Sequence, residues 1–207
     1  MTSMDYRLQY IYEMYKDAKC ELNYNNIFQL LIAVTLSAQT TDKKVNDCSK
    51  VLFEKYDSVE KLASANIEDV KAIIKPIGMA NTKGRNIIEI AKIINEKYNG
   101  EVPCDVDKLL ELPGVGNKTV NVILVEGFKI PAFPVDTHIN RVAKRLKLAY
   151  ISDDVSDVER KLKKKIDKSM WGQMHHSMIF FGRYFCKAIS PSCNICKLKG
   201  KCRINYK

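Results

Sequence analysis

The chain has 207 residues, 46% of them hydrophobic and 28% charged, with only 9 Gly and 6 Pro. That length suits one domain or two small lobes, the apolar share suffices for a core, and collagen-like or disordered readings are excluded. The net charge of +10 is uneven: residues 1–100 hold 14 basic and 13 acidic side chains, 101–159 hold 7 and 10, and 160–207 hold 13 and 1. A segment as basic as the last favours a polyanionic partner, because each Lys or Arg set on a phosphate releases condensed counterions. The run Arg160-Lys161-Leu162-Lys163-Lys164-Lys165 also reads as a solvated helix face, and no exposed aromatic stripe accompanies it to favour a membrane surface. No apolar run approaches the roughly 20 residues of a membrane span. The segment from Met1 to Arg7 shows no basic patch followed by an apolar stretch, so a soluble, cytoplasmic chain without a secretory signal is expected.

The hydrophobic spacing is helical nearly throughout. Ile27, Leu30, Leu31 and Val34 recur three to four residues apart, as do Val45, Cys48, Val51 and Leu52. Ile87, Ile88, Ala91, Ile93 and Ile94 form a third amphipathic stretch, stopped by Asn99-Gly100. Leu109-Leu110 leads into the turn Pro113-Gly114-Val115-Gly116, after which Val120, Ile123 and Leu124 resume the period. Asp136-Thr137 opens a further helix with Ile139, Val142, Ala143 and Leu146. Ser152-Asp153-Asp154 opens another, with Val155, Val158, Leu162 and Ile166 on one face. No stretch alternates with period two for long enough to make a strand. The spacing predicts an all-α protein of roughly ten helices, with a lobe boundary near Pro131 and Pro134.

Leu112-Pro113-Gly114-Val115-Gly116-Asn117-Lys118-Thr119 is not a Walker loop, since Asn117 stands where Gly must precede Lys. Nor is it a dinucleotide fingerprint, because Thr119 replaces the third Gly and no strand precedes it. What remains is a helix, a two-glycine hairpin and a second helix, read either as a plain αα-corner or as a grip on a phosphate backbone. Lys118 falls in the first turn of the second helix, where the macrodipole disfavours a positive charge and so favours the neutral, nucleophilic amine. A solvated lysine or a phosphate contact is the alternative. In Val135-Asp136-Thr137-His138, Asp136 is placed as a helix N-cap, a position that would also tether a carboxylate rigidly.

Of seven cysteines, Cys20, Cys48 and Cys104 are scattered and read as small buried hydrophobes. Cys186, Cys193, Cys196 and Cys202 crowd the end with spacing C-x6-C-x2-C-x5-C. An intracellular chain keeps no disulfide framework, so clustered thiols point to metal, with zinc and an iron–sulfur cluster both open on donor type.

That thiol spacing resembles the [4Fe–4S] loop of the endonuclease III family of DNA glycosylases. The Leu-Pro-Gly-Val-Gly-x-Lys-Thr hairpin, the Val-Asp-Thr-His segment and Leu36-Ser37-Ala38-Gln39-Thr40-Thr41-Asp42 are similar to the same family. So are Ile77-Gly78-Met79, in place of an apolar wedge that is usually leucine, and the approach to the first cysteine through His175-His176 and Gly182-Arg183-Tyr184. The adjacent histidines do not face one ligand and read as packing. The likeness covers nearly all of residues 21–203. One departure is Lys187-Ala188-Ile189-Ser190-Pro191-Ser192, which holds a single basic residue where relatives have two or three; Lys197, Lys199, Lys201 and Arg203 are candidates to compensate.

The resemblance implies a two-lobed helix–hairpin–helix glycosylase fold. A middle helical barrel over 21–130 carries the hairpin at about 108–127, and a second lobe, 1–20 plus 131–207, carries the cluster loop at 186–202. It implies a monomeric base-excision repair enzyme acting on double-stranded DNA with oxidised pyrimidines or abasic sites, nucleoid-associated in a bacterium. Lys118 would attack the sugar as glycosylase and AP lyase, cutting 3′ to the abasic site by β-elimination, with Asp136 stabilising the oxocarbenium-like charge. Gln39 and Met79 would invade the base stack, Gly114 and Gly116 would hold a phosphate, and Lys187 would touch DNA. Cys186, Cys193, Cys196 and Cys202 would hold one [4Fe–4S] cluster. Two alternatives stand beside this. A monofunctional adenine glycosylase would lack the lysine and use a Glu in the segment that here reads Ala33-Val34-Thr35. A non-catalytic DNA-binding module would carry a disabled Lys or Asp.

Overall fold

In the computed structural model, which describes residues 4–203, eleven α-helices are joined by short 3-10 and π-helical turns, with no strand among the described residues. Met1–Ser3 of the N-terminal segment and Ile204–Lys207 of the basic tail lie outside the described residues. The chain divides into two compact units, Glu21–Ile130 and Met1–Cys20 with Pro131–Lys207.

The first unit is built around α2 (Ile27–Leu36), whose residues from Phe28 onward are all buried. A helix apolar on every side has to be enclosed. Here α3 (Asp42–Lys55), α6 (Ala80–Tyr98), α8 (Asn117–Val122) and the π-helical turn Ile123–Gly127 all pack on it. The short α4 (Val59–Ala63) and α5 (Ile67–Ile74) lie against α6. The interior is Leu30, Leu31, Leu36, Val45, Leu52, Leu62, Ile74, Ile87, Ile90 and Ile94, all without solvent exposure. Among the residues expected on the buried face of α3, Val51 is instead 49% exposed; the stripe runs through Val45, Cys48, Ser49 and Leu52. The Asn99-Gly100 stop is observed, with Asn99 in the left-handed region at φ 51°.

The second unit combines α1 (Tyr6–Met14), α9 (Thr137–Arg145), α10 (Val155–Lys163), α11 (Trp171–Phe180) and the π-helical turn Phe181–Phe185. Its core joins Leu8 and Ile11 of α1 to Ile139, Val142, Val158, Leu162, Met174, Met178, Phe181 and Phe185. Phe181 and Phe185 stack at 5.2 Å, and Tyr10 meets Phe181 edge-on. Val155, expected on the buried face of α10, is 49% exposed, because Asp154 is the N-cap and the helix buries only Val158 and Leu162. His175 is buried and donates through Nδ1 to the Pro134 carbonyl at 2.9 Å, which is packing, as expected.

The basic run on α10 is largely a solvated face. Arg160 pairs with Asp157, Lys163 with Glu159, and Lys161 with Asp153, so acidic neighbours offset three of its five charges. Among the described residues, no helix is long and apolar enough to cross a membrane.

Candidate active site

The hairpin follows α7 (Val106–Leu110), which Asp105 caps through the Lys108 amide at 3.0 Å. Leu112, Val115 and Val120 point inward and are buried. That anchoring leaves Gly114, Gly116, Asn117 and Lys118 exposed on the outer side. The two glycines serve different ends. Gly114 has φ +77°, which favours glycine, and a Cβ there would lie 2.5 Å from Asn86 Nδ2 of α6, so the Asn86 side chain would also have to move. Gly116 has an ordinary extended backbone (φ −113°, ψ 177°), and a Cβ on it would meet nothing within 4 Å. Its lack of a side chain is not demanded by the fold. Lys118 is the second residue of α8, as the sequence predicts.

Four exposed non-glycine residues of this unit, Gln39, Met79, Asn99 and Lys129, have left-handed backbones, and the first two fall in segments that the resemblance sets against DNA. Gln39, after α2, has φ 57°, and Met79, which precedes α6, has φ 54° and is 55% exposed. Non-glycine residues seldom adopt this conformation, and it concentrates where function holds a side chain in place. Gly78 between them in the wedge segment (φ 72°, ψ 165°) occupies a region nearly exclusive to glycine.

Most α-helices here begin on an Asp, Asn, Ser or Thr that accepts a backbone N–H. At α6, α8 and α11 the caps are Met79, Gly116 and Met170, and no side chain caps the helix. Of these, α11 continues directly from the 3-10 turn Lys168–Met170, whereas the starts of α6 and α8 are the ones that the resemblance sets against DNA.

In the second unit, Asp136 is the N-cap of α9, and its Oδ1 accepts the Ile139 amide at 2.8 Å. It is only 9% exposed, so its carboxylate is held in one geometry. Burial depresses the pKa of the neighbouring His138 imidazole, against the opposing pull of the Asp136 charge.

The first thiol loop is organised from α9. Arg145 donates to the carbonyls of Cys186 (3.2 Å), Lys187 (2.6 Å) and Ala188 (3.1 Å), and to the Cys186 Sγ at 3.5 Å. Arg141 adds bonds to the Gly182 and Cys186 carbonyls. Lys187 itself is exposed. Cys186 is buried, and Cys193, Cys196 and Cys202 are half-buried. Burial pushes the Cys186 thiol up, while Arg145 and Arg141 oppose it; the Cys196 thiol is pushed up by burial and by the nearby thiols of Cys186, Cys193 and Cys202. Among the described residues, no three His, Cys, Asp or Glu side chains converge as on a single metal ion. Of the basic residues expected to compensate in this loop, Lys197, Lys199 and Lys201 are exposed, but the Arg203 guanidinium bonds to the carbonyls of Lys144 and Ala149.

Some residues differ from the sequence expectation, and others were not singled out by it. Cys104 is exposed and Cys20 half-buried; only Cys48 is buried. Ala33, Val34 and Thr35 lie buried within α2, where no carboxylate is available for an adenine glycosylase. Arg145 and Arg141 escaped notice because their partners are backbone carbonyls about forty residues away in sequence (|i−j| 41 to 45). Lys83 was also missed, although it stands four residues before Ile87 on the apolar stripe of α6. It is 4% exposed.

Comparison with known proteins agrees with this geometry. A family model described as HhH-GPD superfamily base excision DNA repair protein matches residues 32–168. Endonuclease III of Bacillus subtilis (strain 168) is 45% identical over 207 residues, covering 100% of this chain and 94% of that protein. A solved structure of a non-covalent endonuclease III–DNA complex superposes with TM-score 0.92 at 48% identity, covering 96% of this chain and 92% of that one. A trapped endonuclease III–DNA covalent intermediate, an estranged-adenine complex, has the same TM-score of 0.92 and 48% identity, with 96% and 93% coverage. With the hairpin, the uncapped α8 start and the all-helical architecture in agreement, the chain belongs to the HhH-GPD superfamily of base-excision DNA repair proteins and, within it, to the endonuclease III family.

Proposed function

We propose that this chain releases oxidised pyrimidines from double-stranded DNA and opens the resulting abasic site through an imine on Lys118. Family membership makes it a base-excision repair DNA glycosylase with AP lyase activity, and DNA its partner. The observation that carries the residue assignment is the exposed Lys118 on α8, two residues after Gly116, a glycine that nothing in the protein requires. A relative of 48% identity has been captured in a covalent intermediate with DNA, the kind of species an amine nucleophile forms.

In this mechanism the neutral Lys118 Nζ attacks the sugar C1′ and the N-glycosidic bond breaks toward the base, which leaves with the electron pair and gains a proton. The C1′–O4′ bond of the sugar then breaks, the ring oxygen taking a proton as the amine nitrogen gives one up, and the opened sugar is left joined to Lys118 as an imine. Loss of a C2′ proton then expels the 3′ phosphate by β-elimination. Asp136, fixed by the Ile139 amide, stabilises the positive charge that develops on the sugar and takes part in proton transfer. Gln39 fills the space left by the extruded base, Met79 wedges the stack, the Gly114 and Gly116 amides receive a phosphate, and Lys187 adds a DNA contact.

Cys186, Cys193, Cys196 and Cys202 would hold one [4Fe–4S] cluster per chain as thiolates. The Cys196 thiol lies near enough to those of Cys186, Cys193 and Cys202 for their charges to perturb it, and four thiolates are the donor set of an iron–sulfur cluster. The guanidiniums of Arg145 and Arg141 beside Cys186 favour the thiolate form. Bound there, the cluster cross-links the loop and contributes to its folding. The protein works as a monomer in the cytoplasm, at the nucleoid in a bacterial cell.

Borohydride trapping tests the nucleophile. Lys118→Gln keeps length and hydrogen bonding but cannot form an imine. The expected result is retained binding to abasic-site duplex, no covalent adduct, and loss of both base release and nicking. A Lys118→Gln protein that still traps and still nicks would show that the nucleophile lies elsewhere.

A further inference from the structure

Lys83 lies near the N-terminal end of α6 and is 4% exposed. Its Nζ donates to the Ala38 carbonyl at 2.8 Å and to the Ile77 carbonyl at 3.3 Å. Its backbone N–H donates to the Met79 carbonyl at 2.9 Å. Ala38 precedes Gln39, and Ile77 precedes Gly78-Met79, so one side chain reaches the backbone beside both Gln39 and Met79, two exposed residues in the left-handed region. Burying an ammonium is costly, and desolvation depresses its pKa. An apolar residue of similar length would fill the same space without that cost. A charge kept against such a cost, and bonded only to the two loop carbonyls named here, has its purpose in those loops.

We propose that Lys83 is a positioning residue, a buried ammonium that ties the Gln39 loop to the Met79 loop so that both side chains enter the base stack in one fixed geometry. The inference rests on the proposed stack-invading roles of Gln39 and Met79. Carbonyls are the natural acceptors for this clamp, since they belong to the backbone that must be fixed and leave both side chains free. Two strained residues on separate loops would otherwise relax independently, and each would have to be ordered when DNA binds. A shared donor couples them in advance.

The test uses the full-length protein and duplex DNA with a tetrahydrofuran abasic analogue opposite 2-aminopurine, whose fluorescence rises when it is unstacked. Saturating wild-type protein is expected to raise the signal. Lys83→Met is expected to cut that rise by about threefold or more, the scale of a lost coupling between neighbouring groups. Lys83→Arg, which keeps charge and donors, is expected to restore part of it. Hydrogen exchange in Lys83→Met should quicken at residues 37–41 and 76–80 together; acceleration at one segment alone, or at neither, overturns the clamp. The double variant Gln39→Ala with Met79→Ala separates the two ideas. If it retains the full rise, the stack-invading reading fails; if it loses the rise while a folded Lys83→Met retains it, only the role of Lys83 fails. Should Lys83→Met and Lys83→Gln both fail to fold, the lysine serves the core rather than the loops, and the proposal is overturned.

Discussion

Asp136 has two tasks assigned to it, capping α9 and stabilising charge in the reaction, and a pair of substitutions separates them. Its Oδ1 accepts the Ile139 amide at 2.8 Å, and both residues are buried, Asp136 at 9% and Ile139 at 0% exposure. In Asp136→Ala that amide loses its acceptor where water cannot readily replace it, so the loss is about 2 kcal/mol, at the upper end for an N-cap. At ~2–4 °C per kcal/mol for a chain of this size, Tm should fall by roughly 4–8 °C. Asp136→Asn keeps an oxygen acceptor and forfeits only the interaction of a full charge with the helix dipole, under about 1 kcal/mol. Its Tm should therefore stay within roughly 4 °C of wild type. Both substitutions remove the negative charge, so single-turnover base release should fall by on the order of 10² or more in each. The assays are thermal melting and single-turnover release from a duplex with one oxidised thymine, with binding measured in parallel. Wild-type release by Asp136→Asn would refute the catalytic role and leave Asp136 a cap. Equal melting of the two variants would refute the capping analysis.

Three further outcomes are expected. Gly116→Ala, whose Cβ meets nothing in the protein, should leave melting nearly unchanged yet weaken DNA binding, whereas Gly114→Ala should lower Tm because it combines φ +77° with a 2.5 Å approach to Asn86; unaltered DNA binding by Gly116→Ala would remove the phosphate contact. Protein purified without air should be yellow-brown with about four irons per chain, and Cys193→Ser should lose colour and solubility together; stoichiometric zinc in colourless, fully active protein would rule out the cluster. Hydrogen bonds from Arg7 to Asp5 and from Lys161 to Asp153 hold both carboxyls below their ordinary range, so the stability they contribute is present above the unfolded Asp pKa and is lost as pH falls through the folded values. Melting midpoints should drop below about pH 4, and Asp153→Asn should flatten that decline; an unchanged slope would dismiss the Lys161 pair as a contributor.

Local chemistry was readable along the chain wherever it has a local cause. The helix at Ile27–Leu36, the stop at Asn99-Gly100, the turn at Pro113–Gly116 and the caps Asp136 and Asp154 follow from side-chain period, φ preference and hydrogen bonding to amides two or three residues away. The short α4 and α5 bury only two residues each, too few to display a period, and were not singled out. Family motifs likewise sit in contiguous stretches, so Lys118, Asp136, Gln39, Met79 and the four cysteines could be named from spacing and resemblance.

Which face of each stretch is buried, and what a charged side chain meets there, had to wait for packing. Val51 and Val155 satisfy the helical period yet are each 49% exposed, because no neighbouring helix covers those positions. Arg145 reads as one more basic residue until its guanidinium is seen holding three successive carbonyls from Cys186 to Ala188. Lys83 reads as a surface lysine until its ammonium is found against Ala38, 45 residues earlier. Carbonyl oxygens carry no side-chain identity, so sequence cannot mark them as partners. Only the packing of α6 beside α2 brings the Ala38 carbonyl within reach of the lysine and makes its charge a buried one.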